Sequence, residues 1–188
     1  IVLVSGPSLT SGITNTGTIF GSQYAIRAYN GASIGTLTNN TGGQIGITAS
    51  GATATVGISL TNGANISTLT NNNGVIAGRD AAIQVEGGGS ITAGINNTAG
   101  GSILGQVYGI EISTGASFSG GISNNGLIEG QANSAIYIDG ATVNGDITND
   151  DRMEGGTIGV HLDGGTLTGS LINNGTIEGG TDGIRLDS

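Results

Sequence analysis

The chain has 188 residues, of which 39 are Gly and only one is Pro; it has one His, four Arg and no Lys, Cys or Trp, so few side chains are available as nucleophiles, metal ligands or general bases. The net charge of −9 lies wholly in residues 95–188, where eleven acids face Arg152 and Arg185, while Arg27 and Arg79 balance Asp80 and Glu86 in residues 1–94. Such a surface does not suit nucleic acid, whose phosphates need a basic partner, and no apolar stretch approaches the roughly 18 to 20 residues of a membrane span.

High glycine content usually accompanies disorder, but here the apolar residues recur in register. The phrases SGITNTGTIFGSQYAIRAYNG (11–31), GGISNNGLIEGQANSAIYIDG (120–140), GDITNDDRMEGGTIGVHLDG (145–164) and LINNGTIEGGTDGIRLDS (171–188) are copies of one pattern, and seven coils of about 24 residues cover the chain. Each coil opens on a strand around a first apolar column: Leu9, Ile34, Ile66, Ile91, Phe118, Val143 and Leu167. A corner rich in Asn and Gly follows, its glycines suited to left-handed turns. Next comes a strand around a second column, Ile19, Ile45, Ile76, Ile103, Ile128, Met153 and Ile177, and then a further Gly in most coils.

The last strand of each coil alternates strictly. Its inward residues are Ile26, Ile58, Ile83, Ile110, Ile136, Val160 and Ile184, followed two positions on by Ala28, Leu60, Val85, Ile112, Ile138, Leu162 and Leu186. Period-two alternation of β-branched residues excludes helix and predicts an all-β solenoid. With coils about 4.8 Å apart, the rod is on the order of 34 Å long. Extra residues fall at corners, chiefly between Ile45 and Ile58 and near Thr98 to Gly100. In the second and third coils, TLTNN leaves it open whether Leu37 and Leu69 or the neighbouring Thr face inward. One Asn per coil stands near the first corner (Asn15, Asn39 or Asn40, Asn71 or Asn72, Asn97, Asn124, Asn149, Asn173) and predicts a ladder of side-chain amides.

Solvent-facing positions of the last strand form a line: Arg27, Ser59, Gln84, Glu111, Tyr137, His161 and Arg185, with Asp139, Asp163 and Asp187 beside its final members. Tyr137, Asp139, His161, Asp163 and Arg185 are therefore the candidate binding patch, against the plainer reading of an ordinary polar face. No nucleophile or oxyanion donor accompanies His161, so no catalytic residue is assigned. Glu129, Glu154 and Glu178 form a second acidic stack, read as solvated. The terminal GGTDGIRLD lacks the middle Gly of the calcium-binding nonapeptide, and neither metal nor cofactor is expected. Outward TLT triplets occur only at 36–38, 68–70 and 166–168, too broken a pattern for ice binding.

The INNxGxIxG phrase, the Gly-rich corners, the acidic balance and the lack of Cys resemble the passenger domains of Gram-negative autotransporters, of the adhesin-like kind. The resemblance covers all seven coils. It implies a right-handed single-stranded parallel β-helix of about seven coils, each of three short strands, with residues 1–188 forming one segment of a longer passenger. It further implies an extracellular location at the bacterial cell surface, tethered to the outer membrane through a barrel absent from this chain. The implied role is adhesion, self-association or display as a stalk, with a host or bacterial surface protein, a glycan or a second copy as partner. The protease variants' Gly-Asp-Ser-Gly motif does not occur, so no family site residue carries over and a non-enzymatic role is expected. The alternative is a polysaccharide-acting lyase or hydrolase, although Arg27 and Arg185 stand six coils apart, roughly 29 Å.

Overall fold

The computed structural model describes residues 1–4 and 6–188, with the backbone alone for Val2–Val4. Among them there is no helix, and the strands form three parallel sheets of twelve, seven and eight strands, each strand pairing with its counterparts in the coils above and below. The chain is an all-β parallel solenoid of about seven turns with three sides.

All four apolar columns run in register. The first forms the twelve-stranded side, and the second forms the seven-stranded side. The alternating pair forms the eight-stranded side. In the second to fifth coils these residues have no exposed surface. Each such Ile or Leu contributes roughly 1.5 to 3 kcal/mol, which offsets the ordering of a glycine-rich backbone.

The first side holds more than the sequence pattern discloses. A fifth inward column, Ile13, Leu37, Leu69, Ile95, Ile122, Ile147 and Leu171, follows the first. Leu37 and Leu69 are fully buried, which settles their direction. In the second and third coils both columns lie on one strand, Ser33–Asn39 and Asn65–Asn71; in the others this side breaks into two strands, such as Ser90–Ile91 and Ile95–Asn97. The long insertion after Ile45 closes as a small hairpin, with an antiparallel bridge between Ile47 and Thr53.

The asparagine ladder is complete. Nδ2 of Asn15 donates to Oδ1 of Asn39, and the same bond continues through Asn71, Asn97, Asn124 and Asn149 to Asn173 at 2.8–2.9 Å. Each amide from Asn15 to Asn149 also donates to a carbonyl in its own coil and to one in the next, as Asn97 does to Gly101 and Leu127. The ladder corrects the expectation for the corner glycines. Only Asn73, Gly42 and Gly100 adopt left-handed φ there. Gly74 and Gly101 instead make room for the amides: a Cβ would stand 2.3 Å from Nδ2 of Asn39 and 2.5 Å from Oδ1 of Asn97, respectively.

Candidate functional site

The candidate patch is built on the eight-stranded side by Tyr108–Ser113, Ser134–Asp139, Ile158–Asp163 and Asp182–Asp187. Alternation sends Ile110, Ile136 and Val160 into the core, so Glu111, Tyr137, His161 and Arg185 face outward in one register line. Consecutive coils bring these side chains into contact. The Tyr137 hydroxyl donates to Asp163 Oδ2 at 3.0 Å, and its ring lies 5.2 Å from that of His161 at 41°. His161 Nε2 meets Asp187 Oδ2 at 2.9 Å, and Arg185 Nε donates to the same oxygen at 2.8 Å.

Tyr137, His161, Asp163 and Arg185 are thus joined in one chain of contacts, with Asp187 closing it. Asp139 sits beside that chain and acts through its charge. The Tyr137 phenol is pushed well above its ordinary value by burial first, then by its bond to Asp163 and the charges of Asp139 and Asp163.

Tyr108 is a member that register reasoning missed. Its backbone stands opposite Ser134, yet its ring stacks on Tyr137 at 4.8 Å and 10°, and its hydroxyl accepts from Asn133 Nδ2 at 3.2 Å. No register signal marks it, because Tyr108 stands three positions before Glu111, the residue opposite Tyr137. Burial, followed by the charge of Glu111, also raises the Tyr108 phenol. Glu111 accepts from Gln84 Nε2 at 2.9 Å and from Ser113 Oγ at 3.3 Å; burial nevertheless pushes its carboxyl above the ordinary 4.5.

This geometry decides what the patch offers. The rings of Tyr108 and His161 pack against Tyr137, so the Tyr137 ring is engaged within the protein rather than presented as a platform. The patch presents ring edges, a guanidinium and carboxylates, which is a surface for hydrogen bonding and charge. At the other end of the same line, Arg27 lies over Tyr24 and Tyr29, 4.6 and 4.7 Å from their centroids, remote from Arg185. The acidic stack Glu129, Glu154 and Glu178 is in register, and Arg152 pairs with Glu154. No group of three or more His, Cys, Asp or Glu among the described residues is placed to hold a metal ion.

The class of protein that this architecture defines is the three-sided parallel β-solenoid. Compared with protein-family models, with curated proteins and with solved structures, the chain matches none.

Proposed function

We propose that the chain is an extracellular segment of a bacterial surface passenger that works by contact, as an adhesive or self-associating rod. The observation that carries this reading is the separation of roles within each coil. Inward columns and the asparagine ladder hold the rod, while outward lines such as Tyr137, His161 and Arg185 vary in chemistry from coil to coil. A rod organised in this way presents polar groups at fixed spacing to a partner without disturbing its own core.

The test displays the chain on a bacterial surface and measures adhesion and cell aggregation. The comparison is a triple variant, Tyr137→Phe, His161→Gln and Arg185→Ala, which keeps a ring against Tyr108 while removing the polar edge. Loss of contact with an unchanged unfolding midpoint supports the reading. Unchanged adhesion and aggregation return these residues to ordinary solvated positions and favour a spacer; release of sugar fragments from a polysaccharide panel favours an enzyme.

A further inference from the structure

A concave site lies on the twelve-stranded side, where the coils differ in length by one residue. Ile34 and Leu37, like Ile66 and Leu69, are separated by two residues, whereas Ile91 and Ile95, Phe118 and Ile122, and Val143 and Ile147 are separated by three. The additional residue is accommodated by glycines with left-handed φ: Gly94 at 91°, Gly120 at 84°, Gly121 at 73° and Gly145 at 128°. These glycines and their neighbours lie beside the strands of the fourth to sixth coils. A cavity of about 500 Å³ opens there, bounded by Thr68 of the third coil and by residues of the next three.

Its lining combines three kinds of group. Ala93 supplies an exposed methyl, while Ile95 and Ile122 border the groove but turn their side chains into the core. Asn96, Ser123 and Thr148 stand in register one above another, continuing a line through Thr14, Thr38 and Thr70 that ends at the apolar Ile172. From Thr14 to Thr148 each side chain on it is uncharged and both donates and accepts hydrogen bonds. Asp146 is the one carboxylate of the lining; it is exposed, and its Oδ1 accepts from the Ser170 N–H at 2.8 Å.

We propose that this groove binds a neutral linear oligosaccharide lying along the rod. Sugars carry hydroxyls at short spacing, which matches a line of side chains that each donate and accept hydrogen bonds. Asp146 adds a charged acceptor, the kind of group that makes the stronger hydrogen bonds to a pair of sugar hydroxyls. The groove's volume lies within the ordinary range of small-ligand sites, about 300 to 1,000 Å³. Net charge selects against acidic glycans, since the groove offers no basic residue on a chain of charge −9. The groups on its line repeat at the interval of the coils, about 4.8 Å, which suits an extended polymer rather than a single sugar. This site goes beyond the contact function proposed above, because it lies on another side of the rod and does not depend on Tyr137, His161 or Arg185.

The test is a titration of the purified chain, followed by amide chemical shifts. The probes are short linear oligomers of glucose, mannose, xylose and N-acetylglucosamine, with oligogalacturonate as the acidic comparison. At least one neutral oligomer should give saturable shifts centred on Asn96, Ser123 and Thr148. The double variant Asn96→Ala and Thr148→Ala should weaken binding about tenfold, as expected for two lost hydrogen bonds. Ser123→Trp, which fills the groove from an outward position, should abolish it with the unfolding midpoint retained. The triple variant at Tyr137, His161 and Arg185 should bind as the wild type does, which separates this test from the adhesion assay. The proposal is overturned if no neutral oligomer shifts the groove, if oligogalacturonate binds there more tightly, or if Ser123→Trp binds undiminished.

Discussion

Nδ2 of Asn124 lies 2.8 Å from Oδ1 of Asn149 in the next coil, and both residues have no exposed surface. The same Nδ2 stands 2.8 Å from the Gly126 carbonyl and 2.9 Å from that of Arg152, so one side chain ties together the corner of two coils. A buried amide with this many partners is costly to remove, because each group left behind must forgo both protein and water.

Asn124→Ala should therefore destabilise the rod by about 2 to 4 kcal/mol, the sum of a few unsatisfied buried groups. Asn72→Ala should cost about 0.5 kcal/mol or less, since Asn72 is exposed and its bonds to Asn40 and Thr98 are replaceable by water. Urea unfolding of the two variants checks this. Equal shifts of the midpoint would mean that the inner ladder adds nothing beyond its outer counterpart.

Ile110→Asp should cost about 4 kcal/mol or more, because it places an unpaired carboxylate in the core between Ile83 and Ile136. Thr114→Asp, at an exposed turn four residues on, should be nearly neutral. Thermal melts distinguish the two directly, and comparable losses would refute the inward assignment of the third column.

Glycine at the second corner is required by close approach rather than by φ. A Cβ on Gly105 would stand 1.6 Å from the carbonyl oxygen of Tyr108, whereas one on Gly17 would meet nothing within 4 Å. Gly105→Ala should lower the unfolding midpoint strongly. Gly17→Ala should leave it unchanged or raise stability by about 0.4 to 1 kcal/mol, through the unfolded chain. Calorimetry on both variants is sufficient, and a harmless Gly105→Ala would contradict the tight corner.

Glu111 makes stability depend on pH in a definite direction. Its carboxyl is raised above 4.5 by burial, so between 4.5 and its raised value the folded state binds more protons than the unfolded state. Stability contributed by this group is complete below 4.5 and is lost as pH rises through the folded value. Glu111→Gln should remove that part of the slope and stabilise the rod at neutral pH, since a neutral amide carries no comparable desolvation cost. Urea titrations at about pH 4 and about pH 7 measure it; an unaltered slope in the variant would assign the dependence to other carboxylates.

The patch residues on the eight-stranded side were legible in advance because strict alternation and equal coil lengths put Tyr137, His161 and Arg185 on one line. Their mutual engagement was not. Whether Tyr137 presents its ring to a ligand depends on the ring of Tyr108, which reaches it from three positions before the register partner Glu111. The groove was hidden for a related reason. The direction of Leu37 and Leu69 turns on a residue gained or lost between two columns, and the cavity beside Thr68 is lined by residues of four successive coils, so no single coil displays either.

Residue pattern alone settles the one-dimensional part of the problem. Columns of Ile, Leu and Val at a coil's interval can be buried only by stacking, and one Asn per coil at a fixed offset meets its counterparts above and below once the coils stack. Those constraints repeat, so reading seven copies averages away the irregularity of each. The tertiary structure alone decided what lies across the coil: which side bends, where a corner needs a missing Cβ, which side chains close on one another, and where the surface is concave. Such features depend on the relative placement of residues whose separation changes from coil to coil by one position, and a shift of one position in a strand reverses the face on which a side chain stands.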